Sequence, residues 1–87
     1  MDQILTIERT AENMPIRVRV REIMEEQYGE DKADWPSIAS VAKILKVQRQ
    51  TVHLWLKGDI GSADLRVLDR WCRFLHVEPG DILVRED

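Results

Sequence analysis

The chain has 87 residues, enough for one domain and too few for two independent cores. Hydrophobic residues make up 44% of it and charged residues 33%, a soluble globular profile that excludes an intrinsically disordered chain. The formal net charge of -3 gives no overall attraction to a polyanion, so any such contact must come from a local patch.

The apolar runs are only a few residues long, so no membrane span is expected. The opening stretch MDQILTIERTAENM is acidic and lacks a basic leader, which argues against a signal peptide. A single cysteine, Cys72, has no partner for an internal disulfide and fits a reducing compartment, so a cytoplasmic protein is expected.

Residues 1–14 read as an N-terminal arm, and residues 15–87 as the domain. Within the arm, QILTIERT alternates weakly, as a short strand that pairs only in a dimer would, or as a frayed tail. Residues 16–27, IRVRVREIMEEQ, predict a first helix with Val20, Ile23, Met24 and Gln27 at i, i+3, i+4 and i+7. The alternation of IRVRVR is strand-like, so its start is not fixed by pattern. Residues 28–36, YGEDKADWP, are a loop by their glycine, acids and proline.

Ser37 is placed to cap a second helix, Ile38 to Leu45, whose apolar stripe is Ile38, Val41, Ala42 and Leu45. A third helix starts after Gln48 and ends by Lys57, with Gly58 past its C-terminus. Asp64 caps a fourth, Leu65 to Leu75, on the stripe Leu65, Leu68, Trp71, Cys72 and Leu75. Pro79 suits the first turn of a short last helix, from which Ile82 and Leu83 close the core. The expected fold is all-α: a compact bundle of about five short helices containing a helix-turn-helix, preceded by the arm.

Charge is distributed unevenly along these elements. From Trp35 to Lys57 there are four cations (Lys43, Lys46, Arg49, Lys57) and no acid, whereas residues 22–34 carry six acids against one lysine. On a wheel of the third helix, Val52, Trp55 and Leu56 face one way. Arg49, Gln50, His53, Leu54 and Lys57 form the opposite face, which holds donors, acceptors and positive charge. Arginine forks onto guanine O6 and N7, and glutamine pairs with adenine N6 and N7. The helix N-terminus with a polar cap such as Gln48 suits a phosphate. The connection from Leu45 to Arg49 has the length of a helix-turn-helix turn.

These residues carry a resemblance. From about Ile16 to Leu83 the chain resembles the lambda-repressor-like, Cro-type (xenobiotic-response-element-type) helix-turn-helix family. The matching run is Val41-Ala42, Leu45, Lys46, Val47, Gln48-Arg49-Gln50, Thr51-Val52 and Gly58, followed by LRVLDRWCRFLHVEPGDIL. The resemblance implies a five-helix bundle that binds double-stranded DNA as a homodimer, with the third helix in the major groove. It also implies that Gln48, Arg49, Gln50 and His53 contact phosphates and bases, and that Lys57 contacts backbone.

Three positions depart from the pattern. Lys46 stands where the family often has a left-handed glycine, at a cost of about 1 kcal/mol, so the turn is expected to differ locally. Leu54 stands where a polar side chain is common. The loop 28–36 is long and acidic.

Competing readings remain for several residues. Lys43 and Lys46 are either phosphate contacts or solvated lysines. Arg17, Arg19 and Arg21 reach DNA backbone or, for Arg21, pair with Glu25 at i+4. Trp55 and Trp71 belong to the core, and Trp35 is either a staple at the mouth of the second helix or a dimer contact. Cys72 and His76 share a helical face, but two ligands do not make a metal site. No glycine-rich phosphate loop or third catalytic partner is present, so neither enzyme chemistry nor a cofactor is expected.

The sequence therefore points to a repressor-like transcriptional regulator, bacterial or phage-like. Its reading residues would be Arg49 and Gln50, with Lys46, Gln48 and Lys57 on phosphates. With no second domain expected to sense a ligand, control would come from occupancy, concentration or a partner protein. The alternative is a protein-interaction module on the same fold, such as an antitoxin or adaptor, favoured by the acidic total and by Leu54.

Overall fold

A computed structural model of the protein describes residues 16–85, so the expected arm at residues 1–14 lies outside the described residues. The elements run β1 (Ile16–Val18), α1 (Val20–Tyr28), a 3-10 turn (Lys32–Asp34), α2 (Ile38–Leu45), α3 (Arg49–Lys57), α4 (Leu65–Leu75), α5 (Pro79–Ile82) and β2 (Leu83–Arg85). The five helices and the helix-turn-helix α2–α3 agree with the reading of the sequence.

The first helix begins later than expected. Ile16 to Val18 form a strand, paired antiparallel with Leu83 to Arg85 in the register Ile16 to Arg85, Arg17 to Val84 and Val18 to Leu83. The alternation of IRVRVR was the real signal here, and its partner lies more than sixty residues away, where no local pattern reveals it. Arg19 continues the ladder by donating its N–H to the Ile82 carbonyl at 2.8 Å. Leu83 accordingly closes the domain from a strand and not from the last helix. Arg17 and Arg19 both bond to the Glu22 carboxylate, which ties the strand to the first turn of α1.

Thirteen hydrophobic residues form one buried core: Val20, Ile23 and Met24 of α1; Val41, Ala42 and Leu45 of α2; Val52 and Trp55 of α3; Leu68, Trp71, Cys72 and Leu75 of α4; and Ile82 of α5. Every helical stripe read from the sequence contributes, but Leu65, read as the first residue of the fourth stripe, is 75% exposed because it stands at the first position of α4, outside the core. Trp71 is fully buried at its centre, 6.4 Å from Trp55 and edge-on to Phe74 at 6.2 Å between ring centroids. Such ring pairs add about 0.5–1.5 kcal/mol beyond the area they bury. The Trp71 indole N–H meets no acceptor, so part of that gain offsets an unsatisfied donor.

The helix ends follow their side chains. The Ser37 hydroxyl accepts from the Ser40 N–H at 3.1 Å, and the Asp64 carboxylate from the Arg66 N–H at 2.8 Å. Asp81 accepts from the Glu78 N–H at 2.9 Å, fixing the first turn of α5. At the C-termini, α2, α3 and α4 each stop at a left-handed residue: Lys46 (φ 58), Gly58 (φ 78) and His76 (φ 57). In each case the next residue's N–H reaches back to a carbonyl five residues earlier, as Val47 does to Ala42, Asp59 to Leu54 and Val77 to Cys72. The turn after α2 thus keeps the left-handed geometry despite its lysine, against the expectation of a local change. Side chains in that region carry a steric cost that glycine avoids.

Replacing Lys46 by glycine is expected to stabilise the domain by about 1 kcal/mol, raising Tm by about 4–8 °C. An unchanged or lower Tm in a thermal melt would count against the strain. A second prediction concerns acid. The Arg17 hydrogen bond, aided by Arg19, holds the Glu22 carboxyl below its ordinary 4.5, against a smaller opposing effect of burial. A depressed carboxylate stabilises the fold above its unfolded pKa and loses that contribution as pH falls through the folded value. Glu22→Gln should therefore flatten the fall in stability below pH 4.5 measured by denaturant titration.

Candidate functional site

The two faces of α3 have one cause. Val52 and Trp55 are drawn into the core, and a helix turning about 100° per residue then leaves Arg49, Gln50, His53 and Lys57 outside. All four are exposed, as are Lys46 and Gln48 in the turn that precedes them. The structure thus brings the six residues singled out from the sequence onto one helix and its leading turn.

Gln48 holds the N-cap position of α3 in an extended conformation, but its side chain makes no capping bond. The sequence reading of Gln48 as the cap residue holds for its position, and its side-chain amide is left over. The Gln48 carbonyl does accept the N–H groups of Thr51 and Val52, at 3.0 and 3.3 Å. The N–H groups of Arg49 and Gln50 point out of an uncapped helix start with no acid in its first turn. Such an end attracts negative charge.

The pairing of charges separates this face from the rest of the surface. Among the described residues, Lys43, Lys46, Arg49, His53 and Lys57 make no ion pair and no side-chain hydrogen bond. By contrast Arg19, Arg21, Arg66 and Arg73 are engaged with Glu22 and Glu26, Glu25, Asp64 and Asp69. Arg21 pairs with Glu25 at i+4, at 3.2 Å, as one of its two sequence readings had it. The arginines of the strand-like stretch are thus partly spent inside the protein, while the cations of α2 and α3 are not.

Arg70 has a role that sequence reasoning missed. Its guanidinium donates to the Leu45 carbonyl at 3.2 Å, across from α4 to the last turn of α2. A cation there satisfies an end carbonyl and faces the negative end of the helix dipole. Gln27, without a charge, satisfies an end carbonyl of α4 by donating to Leu75 at 2.6 Å. Neither bond had a local signal, because each joins residues far apart in sequence.

The flanks of α3 differ. On one side, between α1, the start of α2 and the C-terminal half of α3, lies a cleft of about 750 Å³. Trp35, Ile38 and Leu56 form its apolar part, and Lys32, His53 and Lys57 stand around it. Trp35 is held there by its indole N–H, which donates to the Gly29 carbonyl at 2.7 Å, so it fixes the loop at the mouth of α2. On the other side Leu54, Trp55, Ile60 and Val67 line a shallower groove with Asp59 and Asp64 at its rim. Leu54 therefore belongs to the flank of the outer face, beside acids, at 38% exposure.

Cys72 is buried, and burial pushes its thiol pKa up, away from a reactive thiolate. His76 ends α4. Among the described residues no group of three or more His, Cys, Asp or Glu is placed to hold a metal ion, and no helix is long and apolar enough to cross a membrane.

Residues 31–87 fit the family model described as the Cro/C1-type helix-turn-helix DNA-binding domain. No curated protein matches the chain. The matched stretch contains α2, α3, the cleft loop and everything C-terminal to them.

If Arg70 holds the end of α2, Arg70→Met should cost about 1.5–3 kcal/mol of stability, the worth of a hydrogen bond to a charged group. Urea titration measures it. A loss below about 0.5 kcal/mol, the level of an ordinary surface change, would show that the bond is dispensable.

Proposed function

The chain belongs to the Cro/C1-type helix-turn-helix DNA-binding domain family, and on that premise we propose that it is a transcriptional regulator reading operator DNA with α3. One observation carries this reading: the cations of α2 and α3 have no acidic partners within the described protein. Such charges keep their full field outward, and phosphates neutralise them without any internal pair having to break.

In this reading α3 lies in the major groove with its N-terminal turn nearest the bases. Arg49 forks onto a guanine, and Gln50 takes the N6 and N7 edge of an adenine. His53, one turn on from Arg49, continues the same face. Lys46 and Gln48 hold phosphates before the helix, joined by the N–H groups of its first turn, and Lys57 holds one near its end. The nine residues of α3 span about 13 Å, which covers only a few base pairs. A homodimer on two half-sites would supply the missing specificity. Bound across a promoter, such a dimer acts as a repressor by occupancy, in the cytoplasm and without catalysis.

A second reading is favoured by the groove at Leu54. Apolar side chains between Asp59 and Asp64 suit a protein partner better than a phosphate, as in an antitoxin or adaptor built on this fold.

Binding to duplex DNA should weaken steeply as salt rises, and Lys57→Gln should reduce the log–log salt slope by about 0.9, one phosphate's share. Arg49→Ala with Gln50→Ala should abolish preference for a site selected from a random pool while leaving salt-sensitive binding to any duplex. Absence of binding at low salt rejects the DNA reading. Retained preference in the double variant rejects the assignment of the reading residues.

A further inference from the structure

We propose that the cleft beside α3 is a binding site for a small aromatic carboxylate, and that this ligand and DNA exclude one another. Its volume, about 750 Å³, lies within the range of small-molecule pockets, which runs to about 1,000 Å³. The lining is of two kinds. Trp35, Ile38 and Leu56 offer an apolar wall, and the Trp35 ring is held in place by its bond to the Gly29 carbonyl. With its N–H already satisfied, that indole has only its face and edge to offer, which suits another ring.

Around the wall stand Lys32, Lys57 and His53, none with a partner among the described residues, and no carboxylate lines the cleft. Arg21 also borders it but is paired with Glu25. The acids of the same loop, Asp31 and Asp34, are used or placed elsewhere: Asp31 caps the 3-10 turn and neither residue lines the cleft. A site with one ring-sized apolar wall and two free ammonium groups recognises a molecule that has a ring at one end and an anion at the other. An inorganic anion leaves the wall bare, and a neutral ring leaves the lysines unmatched.

The coupling to DNA follows from shared residues. Lys57 and His53 line the cleft and also lie on the outer face of α3. A carboxylate held by Lys57 takes away the charge offered to a phosphate. The exclusion rests on the DNA-reading face proposed above, whereas ligand binding itself does not. The domain would then respond to the ligand by competition at a shared side chain.

The test uses the full chain and 1-naphthoate, with 1-naphthalenemethanol and inorganic phosphate as the ring-only and anion-only probes. Titrations followed by two-dimensional NMR should show saturable shifts at the Trp35 indole N–H and at His53 for 1-naphthoate. Both control probes should bind at least about tenfold more weakly. Lys32→Gln, a change at an exposed residue outside the DNA-reading face, should weaken 1-naphthoate by about tenfold and leave DNA affinity within about twofold. Leu56→Gln, which makes the apolar wall polar and leaves the Trp35–Gly29 bond in place, should weaken 1-naphthoate by about tenfold, read at the Trp35 indole N–H, and unchanged affinity would overturn the site. In the unmodified protein 1-naphthoate should displace a bound duplex. Failure to bind 1-naphthoate, equal binding of phosphate, or equal binding of the neutral ring would each overturn the site. Saturable binding at Trp35 without displacement of a duplex that the protein does bind would overturn the exclusion alone. A protein that binds 1-naphthoate but no duplex would reject the DNA reading and keep the site.

Discussion

The left-handed turn at Lys46 is the constraint on which the placement of α3 and its outward face depends. Once Lys46 adopts φ 58, the Val47 N–H returns to the Ala42 carbonyl and α2 can go no further. The chain leaves in the direction that lets α3 begin at Arg49, and Val52 and Trp55 then meet the core on the first inward turns. Ala42, buried where α2 and α3 pack together, adds the small side chain that a close crossing needs. Arg70 secures the same corner from outside by holding the Leu45 carbonyl. A shift of this corner by a fraction of a turn would rotate the outer face of α3, since core contact and outward face are two sides of one nine-residue helix.

Charge adds a second level of order to that geometry. A domain with more acids than bases does not present a uniformly negative surface. Its arginines outside α3 are largely matched to nearby carboxylates on α1 and α4 or used as caps. Surface pairs of this kind contribute little stability, with a median near 0–1 kcal/mol. Their effect on the field is larger, because each pair cancels locally and leaves the unpaired cations of α2 and α3 to set the sign of their side. The acidic total and a basic contact face are therefore compatible, and the acids elsewhere disfavour approach of a polyanion from other directions.

The two flanks of α3 give the face its limits. One carries Trp35, Lys32 and the cleft, and the other carries Leu54, Asp59 and Asp64. The apolar residue that interrupts the basic face in sequence thus sits toward a groove bordered by acids. A polyanion on the outer face and a small molecule in the cleft would share Lys57 and His53, whereas a protein partner at Leu54 would meet the opposite edge of the helix.

Local rules sufficed for much of this protein. Periodicity in α1 to α4, the caps Ser37 and Asp64, Pro79 at the start of α5 and Gly58 after α3 all act within a few residues, so the sequence determined the helices apart from the start of α1, their buried stripes apart from the exposed Leu65, and the outward set Arg49, Gln50, His53 and Lys57. Contacts between distant segments were decided only by the tertiary structure. Ile16–Val18 became a strand because Leu83–Arg85 lies beside it; Lys46 stayed left-handed because packing of α2 on α3 outweighs a cost of about 1 kcal/mol. The same holds for the cleft, where Lys32 and Trp35 of a loop meet Leu56 and Lys57 of a helix more than twenty residues on. Short-range preferences are written in the order of residues, whereas pairing, pocket shape and the partner of each charge depend on which surfaces the collapsed core brings together.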